Sequence, residues 1–129
     1  MRKQTLKSLK RKAWELQSQL VRRRSADWRG YAECYTCRAV KMWKELHCGH
    51  YIHGKGNHNE KNLKPQCNKC NTYLGGNLGK YAERLISEEG EDFVKELRRE
   101  IESEKPRTMQ DYRELIEDLK EKINELPHN

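Results

Sequence analysis

Apolar residues recur at spacings of three and four near both ends of the chain, which is typical of amphipathic helices. The first stripe predicts a helix from Thr5 to about Arg24 and consists of Leu6, Leu9, Ala13, Leu16 and Leu20. Thr108, with Asp111 three residues later, resembles a capping box at the start of the last helix. The apolar stripe of that helix consists of Tyr112, Leu115, Ile116, Leu119, Ile123 and Leu126. Because both stripes have a near-heptad spacing, we expect the two helices to pack together, with a homodimer seam as the alternative.

The stretch before the last helix predicts two shorter helices. One extends from about Leu78 to Ser87 and ends before Gly90, a typical C-terminal stop. The next extends from about Asp92 to Glu104, and Pro106 prevents its continuation. We therefore expect the C-terminal third to be helical.

The pattern changes between residues 31 and 65 to short segments separated by glycines, which is typical of strands and turns. We expect a β-hairpin here, with strands near Val40 to Glu45 and His50 to His53. A short helix is expected from Cys70 to about Leu74, with Asn68 as its N-cap.

Four of the five cysteines form two Cys-x-x-Cys pairs separated by 29 residues. The pairs supply the four thiolates that structural zinc prefers, from Cys34, Cys37, Cys67 and Cys70. Redox-active pairs are the alternative, although one pair would be enough for that chemistry. Only 34% of the residues are hydrophobic against 36% charged, so zinc would also compensate for a small core. We expect the fifth cysteine, Cys48, to be a small, half-buried residue rather than a ligand.

The net charge of +7 is distributed unevenly along the 129 residues. Residues 1–44 carry +10, residues 45–80 carry +3 and residues 81–129 carry −6. An N-terminal part this basic favours binding to a polyanion, and nucleic acid is the common soluble polyanion. Binding to an anionic membrane, or charge that serves only solubility, are the alternatives. The expected DNA-contacting residues are Lys7, Lys10, Arg11, Arg22, Arg23, Arg24 and Lys55. No apolar stretch approaches a membrane span and the N-terminus lacks the apolar region of a secretory signal, so we expect a cytoplasmic protein.

Four short motifs follow one another between residues 48 and 78. They are Cys48-Gly49-His50-Tyr51, Asn59-Glu60-Lys61-Asn62, Gln66-Cys67-x-x-Cys70-Asn71 and Gly76-Asn77-Leu78. With these motifs the chain resembles the NinG (Rap) recombination proteins of lambdoid phages, from about residue 30 through Tyr81 and the helical tail. That family is similar in turn to the HNH, or ββα-metal, nucleases, and in particular to the phage junction-resolving enzyme endonuclease VII.

The resemblance implies an α+β fold in which a zinc-stapled ββα-metal core is flanked by a basic N-terminal helix and a helical C-terminal third. The expected single domain, residues 1–129, comprises a basic helix over residues 1–30, a nuclease core over residues 31–77 and a helical tail over residues 78–129. The implied function is hydrolysis of phosphodiesters in branched double-stranded DNA, such as Holliday junctions and D-loops, in the cytoplasm of a bacterial host. Homodimerisation and contacts with other recombination proteins stay open.

Several residues between and beyond the cysteine pairs suit this chemistry. His50 matches the HNH histidine and would be the general base, since a neutral imidazole can take a proton from water near pH 7. Asn62 corresponds to the middle Asn, which braces the loop carrying the base; a residue that only stabilises a turn is the alternative. Asn71 would offer its side-chain oxygen to a catalytic Mg²⁺ or Mn²⁺ ion, while the four cysteines hold structural Zn²⁺.

One position departs from the nuclease pattern. Gly49 stands where these nucleases usually place an Asp that binds the catalytic ion. His47 is the first candidate to replace that ligand and would favour Mn²⁺ over Mg²⁺, whereas a strand residue that only makes hydrogen bonds is the alternative. The other candidates are Glu45, Glu60 and Asn77. If nothing replaces the Asp, the chain would be a non-catalytic, zinc-stabilised DNA-binding module.

The remaining histidines and the tryptophans have simpler expectations. We expect His53 to support a loop or contact phosphate, His58 to face solvent and His128 to be a disordered terminal residue. The tryptophans Trp14, Trp28 and Trp43 are expected to anchor the core and the hairpin rather than to stack on bases. Because Trp28 lies among basic residues, it is the one whose stacking on bases should be tested.

Overall fold

The computed structural model describes residues 3–127, in which four α-helices accompany two small antiparallel sheets. The helices are α1 (Leu6–Arg24), α2 (Leu78–Glu89), α3 (Glu91–Glu102) and α4 (Met109–Asn124). The strands are β1 (Tyr31–Glu33), β2 (Val40–Met42), β3 (His47–His50) and β4 (Leu63–Gln66). Short 3₁₀ helices occupy Trp43–Glu45 and Glu60–Asn62, and a π-helix occupies Lys69–Tyr73. His128 lies outside the described residues.

The first and last helices pack against each other along their apolar stripes, which confirms the prediction from the spacing. Their shared core consists of Leu9, Ala13, Leu16 and Leu20 from α1 and Ile116, Leu119 and Ile123 from α4. Each large apolar side chain buried in this way contributes about 1.5–3 kcal/mol. The predicted capping box is also present, since Thr108 and Asp111 each accept a hydrogen bond from the other's backbone N–H, at 3.1 and 2.8 Å.

Gly90 separates α2 from α3 with a φ of +90°, a conformation that favours glycine. Both helices agree with their predicted ranges to within a few residues. Tyr81 and Leu85 from α2 and Leu97 from α3 are fully buried. The Tyr81 hydroxyl donates to the carbonyl oxygen of Gly49 at 3.0 Å, which attaches α2 to β3. No helix in the described part of the chain is long and apolar enough to cross a membrane.

The predicted hairpin is wrong, because its two strands belong to different sheets. β2 pairs with β1, and Glu33 lies opposite Val40. β3 begins three residues earlier than predicted and pairs with β4, so that His47 lies opposite Gln66. The turn between β1 and β2 is the first cysteine pair, residues 34–37, and β4 leads directly into the second. The β1–β2 pair is therefore a local hairpin, whereas β3 and β4 are separated in sequence by residues 51–62.

Two smaller expectations are also wrong. Asn68 precedes the π-helix, but its side chain makes no capping hydrogen bond. Its backbone is itself helical (φ −56°, ψ −40°), whereas a capping side chain requires an extended residue. Trp28 lies in the turn after α1 and is 78% exposed, so it does not anchor the core, whereas Trp14 and Trp43 are half-buried.

Candidate functional site

The four cysteines of the two Cys-x-x-Cys pairs converge on one point. Their Sγ atoms all lie within 4.8 Å of one another, and those of Cys37 and Cys67 are 3.6 Å apart. Zinc–sulfur bonds of about 2.3 Å in a tetrahedron place sulfur atoms about 3.8 Å apart. The four cysteines are therefore positioned to bind a metal ion, consistent with structural zinc.

The same kind of turn presents both pairs. β1 leads into the first pair and β4 into the second. The N–H of Arg38 donates to the carbonyl oxygen of Cys34 at 3.0 Å, and the N–H of Asn71 donates to that of Cys67 at 2.9 Å. These turns bring both sulfurs of each pair to the same side of its strand.

The surroundings of the thiols favour a bound cation. Burial raises the pKa of Cys34, but hydrogen bonds from the backbone of Cys37 and from Thr36 outweigh it and lower that pKa to about 6. Burial and the neighbouring thiols raise the pKa of Cys37 to about 12. Thiolates held this close together repel one another unless a cation neutralises them. Asn77 supports the cluster, since its Nδ2 donates to Cys70 Sγ at 3.5 Å.

Cys48 lies outside this cluster. It is buried in β3 against Val21 of α1 and Leu63 of β4. Burial raises the pKa of the Cys48 thiol to about 12, so the thiol stays protonated near neutral pH. Cys48 was expected to be half-buried in the predicted hairpin; it is instead 6% exposed and lies in the β3–β4 sheet.

His50, the predicted general base, is the last residue of β3 and faces α1. Its ring stacks on Trp14, with 4.9 Å between ring centroids and 16° between planes. The Nε2 atom is buried and has no hydrogen-bond partner among residues 3–127. Burial lowers the pKa of His50, and the nearby His53 lowers it further. The imidazole is therefore neutral at pH 7 and has a nitrogen able to accept a proton.

His58 packs against α1 and α4, so the expectation that it faces solvent is wrong. Its Nδ1 lies 3.1 Å from Oε1 of Gln17, which is fully buried in α1. Its ring meets Trp14 and Tyr112 edge-on, at 6.2 and 6.3 Å between centroids. Burial, followed by the positive charge of Arg107, lowers the pKa of His58 to about 4. No local pattern around His58 indicates this burial, because the residues that pack against it belong to α1 and α4.

A basic groove of about 330 Å³ lies between α1, residues 54–58 and residues 104–107. Its charged lining consists of Lys10, Lys55, Lys105, Arg107 and one acid, Glu104. Trp14 and Asn57 also line the groove, and the Trp14 ring stacks on His50. The groove therefore places positive charge beside a neutral imidazole, which suits a bound phosphate.

The predicted DNA-contacting residues fall into two sets. The exposed set consists of Lys7, Lys10, Arg11, Arg24 and Lys55. In contrast, Arg22 is half-buried and its Nη1 donates to two carbonyl oxygens of residues 43–46 at 3.3 Å. Arg23 lies over the Trp43 ring, and the exposed Arg24 forms an ion pair with Glu60 at 2.7 Å. The basic end of α1 is therefore partly used within the fold.

Asn62 holds the loop that follows His50. Its buried side chain accepts from the N–H of Ile52 at 2.7 Å and donates to the carbonyl oxygens of Ile52 and Gly56, at 2.9 and 3.3 Å. His53 adds a contact within this loop, since its Nε2 lies 3.1 Å from the carbonyl oxygen of His50. These contacts tie Asn62 to the backbone of residues 52 and 56, which follow His50 in the chain.

The space beside Gly49 is filled by Gln66. A Cβ on Gly49 would overlap the carboxamide of Gln66 across the β3–β4 sheet. Gln66 is fully buried, and its Nε2 donates to Thr36 Oγ1 at 3.1 Å and to the carbonyl oxygen of Gly76 at 2.8 Å. An Asp at position 49 would require this glutamine to move.

The two predicted ligands of a catalytic ion, His47 and Asn71, lie on different elements. His47 is exposed on the opposite face of β3 from His50, because side chains alternate along a strand. Asn71 is half-buried in the π-helix, directly after Cys70. Within residues 3–127, the four cysteines are the one group of three or more His, Cys, Asp or Glu side chains placed for a metal ion. A catalytic Mg²⁺ or Mn²⁺ site thus stays a prediction.

A comparison with protein families finds a match over the whole chain. The family model described as "Bacteriophage Lambda NinG protein" matches residues 1–129, the whole chain. Comparisons with curated proteins and with solved structures found no match. The family match spans both cysteine pairs, the basic groove and the helical tail.

Proposed function

The chain belongs to the family of the bacteriophage lambda NinG protein, and from this premise we propose that it is a metal-dependent endonuclease of branched DNA. Its substrates would be recombination intermediates such as Holliday junctions and D-loops. The observation that carries the proposal is the neutral imidazole of His50, whose Nε2 has no partner within residues 3–127 and which stacks on Trp14 in the wall of a basic groove. The likeness of the residues to HNH nucleases supports the same reading.

Each part of the site has a role in this proposal. The cations of the groove hold the scissile phosphate, and His50 accepts a proton from the attacking water. Stacking on Trp14 fixes the plane of the imidazole, and Asn62 holds the loop that follows it. The Asn71 oxygen would offer one ligand to a divalent ion that stabilises the leaving oxygen. His47 lies on the face of β3 opposite His50 and therefore does not face the same site.

The cysteine cluster supports this site from a distance. Zinc would tie the turn after β1 to the turn after β4. β4 is the pairing partner of β3, and Leu63 lies opposite His50. A structural ion would therefore fix the strand that carries the general base without taking part in the reaction.

The test uses the zinc-loaded full chain and a labelled four-way DNA junction with Mg²⁺ or Mn²⁺. We expect the parent protein to nick the junction and His50→Ala to slow cleavage by about 10²- to 10⁴-fold, the usual contribution of a general base. Lys95→Ala, which removes an exposed cation from α3, is the control and should cleave at the parent rate. Zinc content and far-UV circular dichroism establish that each variant is folded. A folded, zinc-loaded His50→Ala protein that cleaves at the parent rate would contradict the proposal.

A non-catalytic, zinc-stabilised DNA-binding module is the second candidate. It is favoured by Gly49, which supplies no carboxylate where the nucleases have one and whose side-chain space is occupied by Gln66. Under this alternative the junction binds with a steep dependence on salt concentration, and neither Mg²⁺ nor Mn²⁺ produces a cut. The same junction assay therefore separates the two candidates.

A further inference from the structure

Two aromatic rings and several cations lie at the end of α1 away from the basic groove. Trp28 is 78% exposed and Tyr31 is 40% exposed. The Arg29 guanidinium lies over both rings, 5.8 Å from the Trp28 centroid and 5.5 Å from that of Tyr31. We call these three residues, together with Arg23 and Lys44, the Trp28 platform. The proposed catalytic site uses none of them.

The turn that carries Trp28 is held by backbone hydrogen bonds. The carboxylate of Asp27 accepts from the N–H groups of Arg29 and Tyr31, at 2.9 and 3.0 Å. The backbone N–H of Asp27 donates to the Tyr31 carbonyl oxygen at 2.8 Å, and Gly30 adopts a φ of +89° to close the turn. Trp28 is therefore presented to solvent by an ordered turn.

The Trp28 platform borders a groove of about 240 Å³ at the junction of α1, the Asp27 turn and β2. Its cationic lining consists of Arg23, Arg29 and Lys44. Residues 22–44 contain seven Lys and Arg residues against two acidic ones. Both acids are already paired, Asp27 with Arg29 at 3.2 Å and Glu33 with Arg38 at 3.2 Å. The groove therefore has an excess of positive charge.

We propose that the Trp28 platform binds single-stranded DNA. Unpaired bases stack on Trp28 and Tyr31, while Arg23, Arg29 and Lys44 contact the phosphates. A single strand supplies flat apolar bases and negative charge at a short, regular spacing, which matches rings alternating with cations. Bases within an intact duplex are already stacked on their neighbours and are not available to these rings. An apolar protein partner would instead have to cover several cations without neutralising them.

The position of the Trp28 platform relates it to the proposed active site. Trp14, which stacks on His50, and Arg24 are ten residues apart on α1, which is about 15 Å along the helix axis. One strand of a branched substrate can therefore run along α1 from an unpaired segment on the platform to the basic groove. The inference deepens the proposed function and rests on it for the choice of DNA as the nucleic acid.

The experiment measures binding alone, by fluorescence anisotropy of a labelled oligothymidine, with no Mg²⁺ or Mn²⁺ added. The protein is the zinc-loaded full chain carrying His50→Ala, so that no cleavage intervenes. We expect Trp28→Ala to weaken binding about tenfold, since one stacking ring is lost, and Trp28→Phe to retain most of the affinity. Tyr73→Ala is the matched control, because Tyr73 is an aromatic residue with the same 78% exposure on the π-helix. Affinity for a blunt duplex should change little in all variants.

Several outcomes would overturn the inference. Oligothymidine binding that is unchanged in Trp28→Ala, or equally weakened in Tyr73→Ala, excludes a stacking role for the platform. Unchanged binding combined with altered sedimentation of Trp28→Ala would identify the surface as a protein interface instead. The proposed function is judged separately: an active nuclease with normal binding by Trp28→Ala refutes only the platform, whereas Trp28-dependent binding without any cleavage refutes only the nuclease.

Discussion

The α1–α4 pair buries leucine and isoleucine side chains, whereas the region of residues 31–77 buries cysteines and amides. In the helical pair, Leu20 and Leu119 are at most 1% exposed. In the second region, the buried polar side chains are Thr36, Asn62 and Gln66, and four of its five cysteines are buried as well. Apolar area is stabilising wherever it is removed from water, but a buried polar group must find its particular partner. The stability of the α1–α4 pair therefore depends on how much apolar area is buried, whereas the stability of residues 31–77 depends on individual contacts.

The candidate site lies where these two regions meet. His50 comes from the polar region and stacks on Trp14 of α1. His58 comes from the same region and lies between Gln17 of α1 and Tyr112 of α4. The α1–α4 pair thus forms the surface against which His50 and His58 pack. Substitutions in the helical pair and substitutions in residues 31–77 should therefore disturb the site in different ways.

The largest expected effect is on the metal. Cys70→Ser removes one of four zinc ligands, so we expect loss of stoichiometric zinc and unfolding of residues 31–77, because removal of the ion leaves crowded thiols without a cation. The comparison variant is Leu119→Ala, which should lower the free energy of unfolding by about 2–5 kcal/mol yet keep its zinc. Zinc analysis and urea unfolding measure both. A stable Cys70→Ser protein would show that the polar region does not depend on the ion.

A smaller effect is expected where β3 meets β4. Gly49→Ala places a methyl group against the Gln66 carboxamide, so we expect the free energy of unfolding to fall by about 1–3 kcal/mol. Gly79→Ala is the matched control, since a Cβ there meets nothing within 4 Å, and it should be neutral or stabilising. A double-mutant cycle with Gln66→Ala checks the cause. Independent, additive losses in that cycle would mean that the two residues do not compete for space.

The smallest effect is on the pH dependence of stability. In the unfolded chain His58 titrates near its ordinary value of 6.5, whereas burial lowers the pKa to about 4 in the folded protein. Between these values the unfolded state binds more protons, so this histidine makes the folded protein less stable as pH falls from about 6.5 to about 4. His58→Gln should reduce that slope in urea unfolding curves. Acid also affects zinc binding and the carboxylates, but it does so equally in both proteins. The difference between their two slopes therefore reports on His58 alone.

The control for this measurement is His47→Gln, which changes an exposed histidine of β3 and should keep the pH dependence of the parent. Equal slopes for the parent and His58→Gln would show that His58 is not buried in solution as it is in the structure.

The features that could be predicted are those with a local spacing. The apolar stripes predicted α1, α4 and their packing, and the two Cys-x-x-Cys pairs predicted the cluster of four thiols. The position of His50 on a strand was also expected, but its stacking on Trp14 was not. His58 was expected to face solvent and Trp28 to be an anchor, and both predictions are wrong. His58 is packed by residues of α1 and α4, which are far away in the sequence, whereas a local turn at Asp27 leaves Trp28 exposed.

Periodicity and cysteine spacing act through neighbours a few residues apart, so they are present in the sequence before any folding occurs. The pairing of β3 with β4, the Gln66 carboxamide beside Gly49 and the contacts of His58 arise differently. They form only when the two cysteine pairs meet and α1 packs on the region between them. Long-range contacts of this kind satisfy buried polar groups one by one, and no local pattern specifies which partner each group will find.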